Sequence, residues 1–444
     1  MLVVVAVILA VTGYATTRAP VNPSALPSGL AVSMNAESTA LYCTGLASTP
    51  GAPGRVIFYN TASVARHLTV SVVSNEGRTA TSTIELAGHA SESLVPSTQV
   101  VGSAYAVAVQ ISGGGVVGEV VAGTHRADVP CAAEGVSQWY AAGLDTLVGS
   151  TAALSVYNPT ATAAVFSVTL YTGAGIAVPQ SLQGLSVPAH AQRDFVLNAD
   201  AVDTRNVGVA VTVSRGTLVL VGVEDSRGTV SFEQGSLAPS RAIWFPDVTT
   251  ARFATAEVRV ANPHATSAQV SVTVTLRKYA VAPLEMTVAP FSTALVTITP
   301  NSAIPVAGYA SVILRSSEPV IAALATGTGR LVVLSSPAAP TGAFLIRNFT
   351  GLGFDAATVT NTGLSTVTLS LASLHDRVPH VVNVARSLTL APGASINLSH
   401  PLASLRRATD FTYLVTANKP SIVVTLTLPG QPAGVNVVAA LDGR

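Results

Sequence analysis

A few side chains in this sequence have types and spacings that could support chemistry. Glu224 and Asp225 are an acidic pair of the kind that does acid–base work, but neighbouring residues on a strand point to opposite faces. His375, Asp376 and His380 form a local cluster whose spacing differs from the i, i+4 pair of a helical zinc site. The sequence therefore predicts no catalytic residues, no metal site and no cofactor.

A glycine run is superficially similar to a phosphate-binding loop, which must lead into the N-terminus of a helix. Gly113, Gly114 and Gly115 instead separate two apolar alternating runs that predict strands. We interpret them as the turn of a β-hairpin. Equivalent hairpins are predicted to pair residues 105–111 with 116–121, 207–213 with 218–223, 309–314 with 320–324, and 413–417 with 422–428.

The chain has two cysteines, Cys43 and Cys131, which lie 88 positions apart. An even cysteine pair in an exported protein indicates a disulfide. Closing a loop of this length stabilises a domain by roughly 4 to 5 kcal/mol in the chain-entropy model. The alternative is a pair of unrelated buried thiols, and we favour the disulfide because the two residues bracket one repeat.

Aromatic residues stand near the start of each repeat described below, and both tryptophans of the chain are among them. Trp139 with Tyr140, and Trp244 with Phe245, could stack on sugar rings as a ligand-binding platform. The alternative is a core or inter-domain plug that buries a large ring. Their recurrence at one position in successive repeats favours the plug.

A fourfold repeat of about one hundred residues must position all these side chains. Period-two apolar alternation flanks an asparagine in each repeat, which predicts two half-buried strands joined by a loop. In the third repeat, Glu257 and Arg259 alternate with Val258 and Val260, so the charged pair is expected on a solvent-facing side. The four asparagines, separated by 98, 104 and 99 residues, are Asn60, Asn158, Asn262 and Asn361.

A bend follows each asparagine by about 28 residues, and a short strand follows the bend. His89 and His190 come just after the bend at equivalent positions, which Phe291 and Gly393 occupy in later repeats. About seven short strands per repeat predict an all-β tandem array of four immunoglobulin-like β-sandwich domains. The expected boundaries are residues 40–135, 136–240, 241–339 and 340–444, with short linkers that make the array stiff.

The remaining sequence concerns location and charge. Residues 1–17 have no charged side chain and predict a signal peptide or membrane anchor, followed by a Pro/Ser-rich tether at residues 18–39. Only 10% of residues are charged and the net charge is +1, which excludes an electrostatic nucleic-acid binder. We expect an extracytoplasmic protein that is either membrane-anchored or secreted.

Two motifs resemble a family of exported actinobacterial proteins known as domain of unknown function fifty-seven-nineteen. The first motif is the run from Trp139 through Gly143, and the second runs from Leu154 to Pro159 before the Val187-Pro188-Ala189 bend. The resemblance extends over most of the chain and includes both cysteines. It implies an N-terminal membrane segment and an extracytoplasmic body, and it supplies no reaction.

These observations favour a non-catalytic envelope protein that acts as a rigid multi-domain spacer or interaction scaffold. Its expected partners are an envelope polymer or another envelope protein, with the membrane contacted through the N-terminal segment and no nucleic acid bound. Two alternatives stay open: a cell-wall or carbohydrate-binding module, and an accessory subunit of a glycan-processing enzyme complex. Exposed Trp139 or Trp244 would favour the carbohydrate-binding alternative.

Overall fold

The chain, described from a computed structural model, consists of antiparallel β-sheets. Residues 1–37, with the predicted N-terminal segment and most of the predicted tether, lie outside the described residues, as do His89 and Asp376. Within the described part, no helix has the length and apolar character needed to cross a bilayer. The structure describes residues 38–48, 53–60, 62–88, 90–122, 127–249, 254–275, 280–298, 304, 309–328, 331–335, 343–347, 356–375, 378–398, 412–419, 421–427 and 439–441.

The first sandwich contains eight described strands and one 3₁₀ turn, η1 (Pro96–Thr98). The strands are β1 (Ser38–Ala47), β2 (Arg55–Asn60), β3 (Arg66–Ser74), β4 (Thr79–Leu86), β5 (Ser91–Leu94), β6 (Ala104–Ser112), β7 (Val116–Ala122) and β8 (Ala127–Pro130). They form two sheets of four strands, in the orders β1-β6-β3-β4 and β5-β2-β7-β8.

The second sandwich repeats this arrangement and adds a second 3₁₀ turn, η2 (Gln180–Leu182). Its strands are β9 (Gln138–Leu144), β10 (Ser150–Tyr157), β11 (Ala164–Thr172), β12 (Gly175–Ala177), β13 (Leu185–Val187), β14 (Gln192–Val196), β15 (Val207–Arg215), β16 (Val219–Ser226) and β17 (Thr229–Glu233). One sheet has the order β12-β11-β15-β9, with β13 also paired to β11, and the other has the order β14-β10-β16-β17.

The third sandwich differs because one long strand belongs to both sheets. Its strands are β18 (Ser240–Thr249), β19 (Ala254–Ala261), β20 (Ala268–Thr275), β21 (Leu284–Val288), β22 (Thr293–Ile298), β23 (Tyr309–Thr328) and β24 (Leu331–Ser335). The first part of β23 pairs with β18 and β20, and its second part pairs with β19 and β24. The two sheets therefore stay continuous through β23.

The fourth sandwich is described over fewer residues. Its strands are β25 (Ala343–Arg347), β26 (Ala356–Asn361), β27 (Val367–His375), β28 (Val378–Leu390), β29 (Ser395–Asn397), β30 (Thr412–Ala417), β31 (Ile422–Thr427) and β32 (Ala439–Leu441). One sheet has the order β28-β27-β30-β25-β32, and the other has the order β29-β26-β31. His375 and His380 lie on β27 and β28.

Aliphatic side chains from the inner faces of both sheets fill a separate core in each of the first three sandwiches. In the first, Val56 and Phe58 of β2 pack with Val70, Val107 and Val109 of the opposite sheet, and all five are fully buried. This is the expected outcome of period-two alternation, which places every second side chain on one face. The predicted all-β class is confirmed.

The predicted hairpins are wrong. Strand β6 pairs with β1 and β3, whereas β7 pairs with β2 and β8, so the Gly113–Gly115 turn carries the chain from one sheet to the other. The same holds for β15 and β16, and β23 has no turn at all. Alternation identifies a strand and its buried face, but two strands joined by a short loop show the same pattern whether they pair together or cross a sandwich.

The pairing of the first strand also departs from the immunoglobulin arrangement. In a constant-type immunoglobulin domain the first strand shares a sheet with the second, fourth and fifth strands. Here β1 joins β6, and β2 lies in the opposite sheet with β5 and β7. What the structure shows is an all-β fold of facing antiparallel sheets, with its own strand order.

The repeated asparagines connect two parts of each sandwich that are distant in sequence. The side chain of Asn158 is fully buried, and its amide donates hydrogen bonds to the carbonyl oxygens of Thr162, Val187 and Pro188 at 2.8, 3.0 and 3.0 Å. Its Oδ1 accepts the Thr160 backbone N–H at 2.9 Å. Asn60 and Asn262 make the same four bonds, and Asn361 makes three of them. The asparagine thus fastens its own loop to the predicted bend.

The residue after the bend adopts a left-handed backbone conformation. His190 and Phe291 have φ angles of 52° each, and Gly393 has φ of 70°. Left-handed φ is unusual for residues other than glycine. Three described repeats therefore keep the same turn geometry with unrelated side chains. The turn is a feature of the backbone and does not require a particular side chain at this position.

Candidate functional site

The structure buries half of the aromatic side chains considered for ligand stacking. Trp139 is 3% exposed, and its indole N–H donates to the Gln234 carbonyl oxygen at 2.7 Å. A Cβ atom on Gly235 would lie 2.4 Å from the Trp139 ring, so glycine is needed for the close packing. Phe245 is fully buried in the core of the third sandwich. Neither ring presents a face to a ligand.

The other two aromatic residues are half-buried on the outer faces of their strands. Tyr140 packs beside a buried apolar cluster between the second and third sandwiches. Trp244 is half-buried, and its indole nitrogen is shielded from solvent with no hydrogen-bond partner among the described residues. Along β9 the tryptophan faces inward, and along β18 it faces outward, with Phe245 in the core instead. The four residues therefore do not form one platform.

The predicted disulfide is present in the first sandwich. Cys43 of β1 is bonded to Cys131, which directly follows β8, and both residues are buried. Next to it, Tyr42 and Ala132 exchange two backbone hydrogen bonds of 2.7 and 2.8 Å. The disulfide and this bridge together fix the end of the sandwich to its first strand.

The arrangement with the most buried polar chemistry lies where successive sandwiches meet. At the first junction, Tyr157 and Val219 of the second sandwich pack on Val73 and Ala106 of the first. The rings of Tyr42 and Tyr157 lie with centroids 6.0 Å apart. Burial, with a smaller contribution from Tyr42, raises the pKa of Tyr157 to about 12. The outer face of one sheet therefore stacks on the outer face of the next.

A buried hydroxyl group joins the two sandwiches at the same junction. The Ser155 hydroxyl accepts the Gly45 backbone N–H at 3.0 Å, shares a hydrogen bond with the Thr44 hydroxyl at 3.0 Å, and accepts from the Gln192 amide at 3.2 Å. Gly45 forms part of a β-bulge with φ of 87°, which favours glycine. Phe232 of the second sandwich reaches into the core of the first.

The second junction uses the corresponding faces of the second and third sandwiches. Ala142 and Ala210 of the second sandwich lie against Ala261 and Ala323 of the third in one buried cluster. A Cβ atom on Gly208 would lie 2.5 Å from the Cβ of Ala261, a distance that real contacts do not reach. Small side chains let the two sheets approach closely here, so the fit depends on shape.

A buried arginine replaces the serine at the second junction. Arg259 is 1% exposed and donates to the Gly143 carbonyl oxygen at 2.6 Å. Its guanidinium also forks onto the Asp145 carboxylate, with both N–O distances at 2.9 Å, and donates to Glu257 at 3.2 Å. Arg205, half-exposed, pairs with the other oxygen of Glu257. Bidentate, charge-assisted bonds of this kind are among the stronger polar contacts in proteins.

A third carboxyl group borders this cluster. Glu224 is 1% exposed and accepts the Asp145 backbone N–H at 2.9 Å. Its burial, with the negative charge of Asp145 as the next cause, raises the pKa of Glu224 to about 8. At neutral pH the side chain is therefore protonated. Asp225, its neighbour, is exposed, as predicted for adjacent strand residues.

The two junctions are geometrically equivalent although their chemistry differs. Ser155 and Arg259 each stand three positions before a repeat asparagine. Each contacts the glycine bulge of the preceding sandwich, at Gly45 and Gly143, whose φ angles are 87° and 86°. One docking geometry is thus used twice, once with hydroxyls and once with charges.

The prediction that Glu257 and Arg259 face solvent is wrong. Both lie on the outer face of their sheet, as the alternation indicates, but the second sandwich covers that face, and Glu257 is 8% exposed. In the sequence, an arginine between two valines indicates only that its side chain lies outside the core of its own sandwich. The pattern does not show whether another domain covers it. The signal that could have located the junction is the shared spacing of Ser155 and Arg259 from the asparagine, since neither side chain type is distinctive.

The geometry of the cluster is that of a structural interface between the second and third sandwiches. Its carboxyl groups are paired with Arg259, Arg205 and backbone N–H groups, and the surrounding residues shield them from water. In the described part of the chain, no three His, Cys, Asp or Glu side chains are grouped so as to hold a metal ion. What this arrangement can do is fix the orientation of the third sandwich on the second.

Residues 119–330, slightly less than half of the chain, match a family of unknown function (DUF5719). The match confirms the family resemblance of the two motifs, and Cys43 lies outside the matched residues. No curated protein matches the chain. A weak structural likeness exists to a solved chain titled "Crystal structure of tetra-tandem repeat in extending region of large adhesion protein". The two sequences are 15% identical, and the alignment spans 88% of this chain and 99% of that chain. The TM-score of 0.13 is too low to support a conclusion about fold or function.

Proposed function

We propose that this protein is a non-catalytic, extracytoplasmic envelope protein whose four sandwiches act as a rigid spacer or interaction scaffold. The observation that carries the proposal is the direct stacking of sheet faces at the first and second junctions, sealed by buried side chains. Domains joined by flexible linkers reorient by default unless their interface is large and apolar. Here the interface leaves little freedom for such motion.

The buried ionic cluster adds a directional constraint to this stacking. Two bonds from one planar guanidinium to one carboxylate fix both the distance and the angle between the groups. Rotation of the third sandwich would break the Arg259–Asp145 pair and leave Arg259 with Glu257 alone as a charged partner. Separating a buried ion pair in this way costs several kcal/mol. A distal surface is therefore held at a defined separation and orientation from the first sandwich.

We infer four tandem sandwiches of common origin, immunoglobulin-like in having two packed antiparallel sheets. The corresponding hydrogen bonds of the four asparagines support this common origin. An extracytoplasmic location is supported by the disulfide between Cys43 and Cys131, because such bonds persist in oxidising compartments. Anchoring by the N-terminal segment, or secretion, completes the proposal, with an envelope polymer or protein as partner.

Carbohydrate binding through the aromatic residues and an accessory role in a glycan-processing complex are the alternatives. The burial of Trp139 and Phe245 weakens the first alternative, although Trp244 is only half-buried. A ligand that stacks on a ring needs one open face. The second alternative has no observation in its favour among the described residues.

Distance measurements by electron paramagnetic resonance would test the rigid scaffold. Spin labels would replace Glu92 in the first sandwich and Glu285 in the third, both of which are exposed. In samples diluted with unlabelled protein, which removes distances between copies, we expect a single narrow distance distribution. It should be as narrow as that of a control pair, Glu92 with Thr69, inside the first sandwich. Ala261→Arg, which drives a large charged side chain into the second junction, should broaden the inter-sandwich distribution and leave the control unchanged. A broad distribution in the unaltered junction would refute the proposal.

A further inference from the structure

The first sandwich has one long and regular open sheet edge. Strand β4 pairs with β3 over its full length, from Arg66 opposite Leu86 to Val73 opposite Thr79, without a register shift. Among the strands that the structure describes, none pairs with the other side of β4. An open edge presents unpaired backbone donors and acceptors and can accept another strand.

The alternation of backbone hydrogen bonds shows which groups point outward. The Ser74 N–H donates to the Arg78 carbonyl oxygen at 2.9 Å where β3 turns into β4, so these two residues form a hydrogen-bonded pair. In an antiparallel ladder such pairs recur at every second residue. The even-numbered residues of β4 therefore bond to β3, and the open edge displays the backbone groups of Thr79, Thr81, Thr83 and Glu85. The side chains of the same four residues are exposed.

Several other described edges of the first two sandwiches carry features that hinder strand addition, whereas β4 does not. Strand β1 has a bulge and is bridged to Ala132, and β8 is four residues long and ends in Pro130. In the second sandwich the place of β4 is taken by β12 and β13, three residues each, separated by η2. Strand β4 has eight residues, no proline and no bulge, and Glu85 near its end is its one charged side chain. Native proteins usually protect edges of this kind.

We propose that β4 pairs antiparallel with β4 of a second copy of this chain about a twofold axis at Ser82, joining two four-stranded sheets into one. The sequence of β4 is complementary to itself in this register. Thr81 faces Thr83 of the second copy, and cross-strand threonine pairs are favourable. Ala80 faces Ile84 on the inner side.

Charge also agrees with this register. Glu85 faces Thr79 of the second copy, so the two glutamates do not meet. The interface is isologous, as in most homodimers. It goes beyond the proposed scaffold function and does not depend on it, because it needs only the first sandwich to be folded.

Sedimentation of the full chain in mild detergent would test this pairing, with the protein concentration raised through the micromolar range. We expect a dimer. Thr83→Pro should abolish it, because the Thr83 N–H points away from β3 and its loss leaves the monomer intact. Thr83→Val keeps the N–H and the strand preference and should preserve the dimer. Thr81→Lys combined with Thr83→Lys places like charges opposite each other and should also give monomers.

Cross-linking provides a second, independent readout. Ser82→Cys should form an intermolecular disulfide on mild oxidation, because the two residues meet at the axis in a non-hydrogen-bonded pair, where Cβ atoms are closest. Glu92→Cys, exposed on β5, is the matched control and should stay uncross-linked. A wild-type monomer throughout, a dimer that persists in Thr83→Pro, or failure of Ser82→Cys to cross-link would each overturn the proposal.

Discussion

Arg259 in the third sandwich and Asp145 in the second form a bidentate ion pair across 114 positions of the sequence. Both side chains are buried, at 1% and 8% exposure. The pair lies at a glycine bulge that recurs in the preceding sandwich, where a serine makes the corresponding contact. At equivalent positions, the second junction therefore has a charged pair and the first junction has hydrogen-bonded hydroxyl groups.

Removing the arginine should destabilise the second junction strongly. Arg259→Ala leaves Asp145 buried and uncompensated, and such losses cost about 3 to 5 kcal/mol. Urea unfolding would show this loss, whereas Arg215→Ala, at an exposed arginine, should change the free energy of unfolding by less than about 0.5 kcal/mol. The double variant Arg259→Met, Asp145→Leu should recover much of the loss, because it removes both charges. Equal destabilisation by Arg215→Ala would contradict this view.

Stability should fall with rising pH because of Glu224. The folded-state pKa of about 8 lies above the ordinary value of 4.5, so the unfolded chain releases this proton first. The free energy of unfolding should therefore decrease by on the order of 1 kcal/mol per pH unit between these values and level off above the upper one. Glu224→Gln should remove this slope and be more stable than wild type near pH 8.

The matched control for that pH dependence is Glu85→Gln, an amide substitution at an exposed glutamate of β4. It should leave the slope of stability against pH unchanged. Urea midpoints measured at closely spaced pH values would show both results. The same slope in wild type and Glu224→Gln would show that another group governs the pH response.

Because the two sheets approach closely, a larger residue on one sheet should be compensated by a smaller residue on the other. Gly208→Ala should destabilise the junction by about 1 to 3 kcal/mol, the usual cost of overpacking, since its new Cβ would lie 2.5 Å from that of Ala261. Adding Ala261→Gly should restore part of the loss by vacating that space. Thermal unfolding of both single variants and the double variant would measure the coupling. Simple additivity of the two effects would argue against the contact.

The repeat asparagine should be needed for the stability of each sandwich. Asn158→Ala deletes an amide that serves three carbonyl oxygens and an oxygen that serves the Thr160 N–H. We expect a loss of about 3 kcal/mol, because buried groups left unpaired cost 1 to 3 kcal/mol each and water can reach some of them. Asn198→Ala, at a half-buried asparagine of the same sandwich, provides a comparison and should cost less. Hydrogen exchange of the bend amides would report the local opening.

Reduction of the disulfide should act on the first sandwich alone. Replacing Cys43 and Cys131 together by serine opens a loop of 88 residues and should lower stability by about 4 kcal/mol. Limited proteolysis should then cut the first sandwich before the second and third. Equal protection of all three in the variant would show that the junctions, rather than the disulfide, maintain this domain.

Local features of the fold were available from the sequence. Alternation around Asn60 and its three counterparts predicted the strands and their buried faces, and the cysteines at the limits of one repeat predicted the disulfide. The equivalence of His190 and Phe291 marked a common turn, whose left-handed backbone then became visible in the structure. These features depend on backbone conformation and on side-chain direction within a few residues, which is what short patterns encode.

The tertiary structure alone decided which strands pair and what covers the outer faces. Alternation placed Arg259 outside its own core, yet a neighbouring sandwich removes it from water and supplies Asp145 as its partner. The alternation also does not distinguish a hairpin from a crossover between sheets, so the predicted pairing of β6 with β7 is wrong. Both outcomes depend on contacts between residues far apart in the chain, whose free energies come from the shape and charge of surfaces that exist only after each sandwich has folded.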